Sequence, residues 1–155
     1  MPKFAPTTIQ LRNGEELLIR EAVPDDVVEI LETYGRIEDS LCISFDHILI
    51  AEVKRRAPGL ACAVNYTAGL VDPVGVARAA GADILNIHRQ FVSPEIAAIA
   101  HKAGLGLQCY CDDPEQAKFF TRIGVDFMDS DHPDVIRAAV RSVPREEVGS
   151  LSAGL

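Results

Sequence analysis

Apolar and polar positions alternate along this chain in blocks. From residue 40 onward a short apolar run is followed by a polar joint, a stretch of helical periodicity and, in most units, a glycine. The runs are LCISF (41–45), ACAVNY (61–66), ADILNI (82–87), LQCY (107–110) and VDFM (125–128), with starts 20, 21, 25 and 18 residues apart. Each is almost continuously apolar, the pattern of a strand covered on both faces in a parallel sheet. The joints carry helix-start chemistry. Asp72-Pro73, Ser93-Pro94 and Asp113-Pro114 each place a capping side chain before a proline at the first helical position, and Gln116 completes the pattern of a capping box with Asp113. Pro133 opens a last helix, and Gly81, Gly104 and Gly124 stand where helices end. Strands alternating with helices of about 10 residues predict right-handed βαβ units and an α/β fold.

The first forty residues follow another pattern. Asn13-Gly14 between two apolar stretches predicts a hairpin. VPDDVVEILETYG then predicts a helix, with Pro24 at its first position, acids at its positive end, and Val27, Ile30, Leu31 and Tyr34 on one stripe. We expect a single α/β domain over 1–143, divided into hairpin plus helix (1–39) and βα units (40–143), with 144–155 as a mobile tail.

At 155 residues the chain has the length of one domain. A net charge of −8 and a pI near 4.9 argue against nucleic acid or an anionic membrane surface as partner. No apolar run reaches the ~18 residues of a membrane span, so membrane insertion is not expected. The opening MPKFAPTTIQLRNGEE lacks signal-peptide character, and the cytoplasm is the expected compartment. The four cysteines, Cys42, Cys62, Cys109 and Cys111, fall in or beside apolar runs and are expected to pack as reduced small hydrophobes.

Candidate chemistry concentrates in GVDFMDSDHPDVI (124–136), where Asp126, Asp129, Asp131, Asp134 and His132 are crowded together. Asp126 is expected at a strand start and Asp134 in a helix first turn, where the dipole favours an acid. Asp129 and Asp131 fall at a strand's carboxyl end, where α/β proteins place ligands. Other strand ends offer Ser44, Asp46 and His47, then Asn65 and Thr67, then Asn86, His88 and Arg89, then Asp112 and Asp113. If the sheet curls, these groups converge on one mouth suited to phosphate binding or acid–base chemistry. Singly, each also has a plain structural reading as a helix cap or loop residue.

SFDHILIAEVKRRAPGL, ADILNIHRQFVSPEIAAIAHKAGL and DDPEQAKFFTRIGVDFMDSDHPD follow one another as in the carboxyl-terminal half of the glycerophosphodiester phosphodiesterases. The chain resembles that family over about residues 40 to 140. Ser44-Phe45 matches its serine–phenylalanine pair, and GVDFMDSDHPD its closing motif. The resemblance implies a parallel (β/α)8, or TIM, barrel, here incomplete with five or six strands and an amino-terminal hairpin. It also implies a place in lipid metabolism and a divalent metal cofactor, magnesium or calcium. Ser44, His88, Arg89 and Asp131 are the candidate substrate-binding residues, and Glu21 in LLIREAV is the nearest match to a family metal ligand.

The departures bear on activity. No H-R-G motif occurs, no E-x-D pair precedes the first matched strand, and the tryptophan of the penultimate strand is lost because the chain has none. No residue here can be assigned as the family's catalytic histidine. The expectation is therefore a truncated, phosphodiesterase-like protein with weak or no hydrolase activity; the alternative is a non-catalytic oligomeric or small-phosphate-binding α/β module. The first ~32 residues also resemble the start of GNAT-type acyltransferases, but that family's pyrophosphate-binding loop is missing. An open barrel would leave apolar strands uncovered, so a homodimer is expected, with a plug formed by Ile9, Leu11, Leu17 and Ile19 of the hairpin as the other solution.

Overall fold

The computed structural model describes residues 7–10, 13–19 and 23–151. Glu21 and Leu11, and the side chains of Ile9, Leu17 and Ile19, lie outside the described residues. Strands β1 (Thr7–Gln10) and β2 (Glu16–Ile19) pair antiparallel around Asn13-Gly14, with Gly14 at φ 83°. Helix α1 (Pro24–Thr33) follows. Its proline occupies the first turn, and Asp26 reaches back to accept from the Val23 N–H at 2.8 Å.

Five βα units come next. They run β3 (Leu41–Ser44), α2 (His47–Arg56), β4 (Ala61–Tyr66), α3 (Pro73–Ala80), β5 (Ile84–Ile87), α4 (Pro94–Lys102), β6 (Gly106–Tyr110), α5 (Pro114–Ile123), β7 (Phe127–Asp129) and α6 (Pro133–Arg141). The five strands are all parallel and pair in chain order, β3-β4-β5-β6-β7. Sequential parallel strands with helices between them make a sheet that curls one way, here an incomplete TIM barrel. The expected caps are present. Asp72 accepts from Gly75 N–H, Ser93 from Ile96 N–H and Asp113 from Glu115 and Gln116 N–H. Gln116 does not close a box: its Oε1 takes the Cys111 thiol instead.

The two faces of the sheet have different chemistry. Cys62, Val64, Leu85, Ile87, Leu107 and Cys109 alternate onto the helix side and form the main core with Ile50, Val53, Ala97 and Phe120. The concave side carries a first row Ile43–Ala63–Ile84–Gly106 and a second row Asn65–Asn86–Gln108–Phe127. The strands are therefore apolar on both faces at their start and polar on the concave face at their end.

One sequence device recurs at the amino ends of the strands. In Gly81-Ala82-Asp83 and Gly124-Val125-Asp126 the glycine closes a helix in the left-handed region (φ 65° and 87°). The next residue is buried, and the aspartate accepts from the backbone of the preceding strand, Asp83 from Cys62 N–H at 2.9 Å and Asp126 from Leu107 N–H at 2.8 Å. Each aspartate also takes a base from the preceding helix layer, Lys54 at 2.8 Å and His101 at 3.0 Å. Asp126 and His101 are thus tied at the end of the sheet opposite the mouth. The intervening junction has Gly106 where the aspartate would stand. A side chain there would meet Ile84 at 3.1 Å.

Candidate functional site

The carboxyl ends of β3 to β6 and the end of β7 surround a cavity of about 220 Å³ whose lining includes Phe45, Asn65, Asn86, His88, Tyr110 and Asp129. Strand alternation explains the membership. Asn65 and Asn86 are register partners on the concave row, and Tyr110 faces Asp129 one step further out. Gln108 continues the row, is 2% exposed, and donates its Nε2 hydrogens to both Asp129 oxygens at 2.8 and 2.9 Å. Its Oε1 and the Oδ1 of Asn65 are buried without a hydrogen-bond partner among the described residues.

A second group stands beside it. The Tyr110 hydroxyl donates to Asp112 and to Asp131, the latter at 2.8 Å. Asp112 also accepts from the Ser130 hydroxyl at 2.6 Å and from the Asp131 N–H at 3.0 Å. The donated Ser130 hydrogen bond, then that of Tyr110, holds the Asp112 carboxyl below its usual range. The same carboxylates, Asp112 first, hold the Tyr110 phenol well above its ordinary value, because ionising it would put a third negative charge between them.

The residues singled out in the sequence are placed as follows. His88 lines the cavity; its Nδ1 accepts from Gln90 N–H at 3.4 Å, which leaves Nε2 as the protonated nitrogen of the neutral ring, and its ring meets Phe91 edge-on. Arg89 is exposed, has no ion pair among the described residues, and lines a neighbouring depression of about 570 Å³ with Tyr110, Asp112, Asp113 and Gln116. Asp131 belongs to the Tyr110 group. Ser44 alternates to the other side, where its Oγ accepts from Asp46 N–H at 3.0 Å and shapes the turn that lets Asp46 cap α2. His47 is committed too, donating from Nε2 to the Asn65 carbonyl at 2.8 Å. Gln108 and Tyr110 were missed by sequence reasoning. The available signal was a glutamine inside the apolar run LQCY, two residues from the tyrosine and so on the same strand face.

The described residues do not fit a resident divalent metal. Among the described residues no three His, Cys, Asp or Glu side chains converge to hold one. Of the carboxylates at this end of the sheet, Asp129 is held by the Gln108 amide, Asp112 by Ser130, Tyr110 and the Asp131 N–H, and Asp131 by Tyr110. None of the described helices is long and apolar enough to cross a membrane.

Comparison with known proteins adds three findings. No family model matches the chain. A glycerophosphodiester phosphodiesterase of Caldanaerobacter subterraneus subsp. tengcongensis is 25% identical over 134 residues, 86% of this chain and 54% of that protein, so the chain spans about half the length of the curated relative it matches. Among solved structures, a glycerophosphodiester phosphodiesterase of Agrobacterium tumefaciens superposes with TM-score 0.63 at 26% identity, covering 79% of this chain and 53% of that one. An Oleispira antarctica phosphodiesterase in complex with its product sn-glycerol 3-phosphate superposes with TM-score 0.69 at 23% identity, covering 77% and 49%. Together with a half-barrel of five parallel strands, these likenesses support a relationship between this chain and the glycerophosphodiester phosphodiesterases.

Proposed function

We propose that this chain is a glycerophosphodiester phosphodiesterase-like protein of lipid metabolism, with weak or no hydrolase activity of its own, whose mouth holds a small phosphate-bearing molecule. The observation that carries the reading is the cavity at the carboxyl ends of the strands, on a half-barrel similar to those enzymes, with no cluster of metal ligands among the described residues. The complete family uses metal-assisted attack on a phosphodiester, releasing an alcohol and glycerol phosphate. Here no step through a metal can be built on the described residues. What this chain supplies is binding. The Arg89 guanidinium is exposed and has no ion pair among the described residues, and the His88 Nε2–H is a second donor next to it in sequence. Arginine presents paired donors that match phosphate oxygens. Asp112 and Asp113 share the depression with Arg89 and oppose an anion, so affinity is expected to be modest.

The test is turnover of glycerophosphodiesters by the purified chain with and without added magnesium or calcium. Activity several orders of magnitude below a complete family enzyme is expected, since losing even one general acid–base typically costs 10²–10⁴-fold. Robust metal-dependent turnover would overturn the reading. Titration with glycerol 3-phosphate should give saturable binding that is lost in an Arg89→Ala, His88→Ala double variant.

A further inference from the structure

The two ends of the described sheet are open and carry opposite charge. β3 and β7 each have one strand neighbour, so their outer edges offer backbone N–H and C=O groups that no strand of that sheet takes. Beside β7 a groove of about 890 Å³ runs from Asp126 to Ser130, with Met128, Ile136 and Val140 among its lining. Arg137 and Arg141, one turn apart on α6, and Arg145 just beyond it line the same groove. All three are exposed and have no ion pair among the described residues. Residues 133–145 hold them against one acid, Asp134. The β3 end is the reverse. Its groove of about 490 Å³ is lined by Ile30 and Leu31 of α1 and by Leu41 and Ile43 of β3. Residues 24–39 hold six acids against one base, Arg36. Of these acids Glu29, Glu32 and Glu38 are exposed and have no ion pair among the described residues. On an ordinary solvated surface the two signs are interspersed; here each end of the sheet collects one.

We propose that the β7–α6 end of one copy of this chain docks on the β3–α1 end of a second, twice over, to form a closed dimer. Apolar groove then meets apolar groove, and the arginines of α6 meet the glutamates of α1. A twofold axis along the strands makes β7 and the partner's β3 neighbours that run the same way, as every pair in the five-stranded sheet does. It leaves neither copy with an open edge. Charge opposes the symmetric alternatives. β7 on β7 would set Arg137, Arg141 and Arg145 against their own copies, and β3 on β3 would set the α1 acids against the α1 acids. The docking is independent of the phosphate reading, which rests on Arg89 and His88 at the mouth, and either can fail without the other.

Sedimentation equilibrium of the full chain tests the docking. A dimer is expected, with a dissociation constant that rises as sodium chloride is added. Two double variants reverse one end each: Arg137→Glu with Arg141→Glu, and Glu29→Lys with Glu32→Lys. Each should raise the dissociation constant about ten-fold or more, because repulsion replaces attraction in both contacts of the dimer. Mixed in equal amounts, the two double variants should associate more tightly than either alone, close to wild-type strength. Each contact then joins glutamates on one side with lysines or arginines on the other. All four positions are exposed, and near-ultraviolet circular dichroism checks that the variants fold. A wild-type monomer, which would leave the edges to solvent or to the chain's own hairpin, overturns the proposal. Loss of the dimer in one double variant only, the mark of a symmetric contact, does the same. So does a mixture no stronger than its components, or a mass that grows past two copies because the docking does not close.

Discussion

Cys62 and Cys109 show how burial sets the chemistry of single residues in this chain. Desolvation pushes the Cys62 thiol up to about 11 and the Cys109 thiol up to about 12, and raises Cys42 and Cys111 as well. A thiol needs its thiolate to react, so all four should be modified slowly by an aromatic disulfide reagent at neutral pH and quickly once the chain is unfolded in urea; prompt labelling of the native protein would contradict this. The Tyr110 group makes a second prediction. The folded Asp112 carboxyl lies below its ordinary 3.8, so its contribution to stability is complete above that value and is lost as pH falls through the depressed one. Thermal melts of wild type and Asp112→Ala should differ most above pH 4 and converge in stronger acid. Tyr110 runs the other way. Its phenol is raised, so what it contributes is fully present below the ordinary value of 10 and is lost as pH rises through the raised one. An alkaline ultraviolet titration should show Tyr110 and Tyr66, the latter pushed by burial to about 12, ionising late.

Between neighbouring βα units the decisive element is the glycine–x–aspartate junction. The glycine lets the chain leave the helix in the left-handed region, the middle residue is buried, and the aspartate fastens the incoming strand to the preceding one. Asp83→Ala removes the acceptor of the Cys62 N–H and the partner of Lys54. A cost of about 1–3 kcal/mol is expected, read as a lower urea midpoint at unchanged slope. Asp126→Ala should behave alike, and Gly106→Ala should be destabilising because its methyl would press on Ile84.

At the scale of the molecule the described sheet has two ends. β3 and β7 each have one strand neighbour only, and beside β3 a groove of about 490 Å³ is lined by Val27, Ile30, Leu31, Leu41, Cys42 and Ile43. At the other end Phe127 is 49% exposed. Unpaired parallel edges with apolar flanks favour association. Sedimentation equilibrium at micromolar concentration should therefore give twice the 16.8 kDa of the chain, and Ile30→Glu should shift the balance towards monomer. A mass of one chain at all concentrations would refute this. Near the described end of the chain Glu147 takes Arg122, and Gly149 and Leu151 donate their N–H groups to the carbonyls of Thr121 and Arg122 at the end of α5.

The sequence by itself determined the elements and their order. Near-continuous apolar runs mark the strands of a parallel sheet, and Asp-Pro and Ser-Pro joints act within four residues of backbone, so strands β3 to β7 and the starts of α3 to α5 were legible without any contact in space. The bland half of the acidic cluster was legible for the same reason, since Asp126 and Asp134 answer to a strand start and a helix dipole. Only the tertiary structure decided the rest of the site. Whether Asn65, Asn86 and Gln108 share a row depends on the register of parallel strands 20 or more residues apart, which the packing of the intervening helices sets. Whether Asp129 meets Gln108 and Asp131 meets Tyr110, each 21 residues away, depends on the same register and on the curl of the sheet. Ser44 closes β3 and Phe45 is the first residue beyond it, and that single step makes the first a turn former and the second part of the cavity lining.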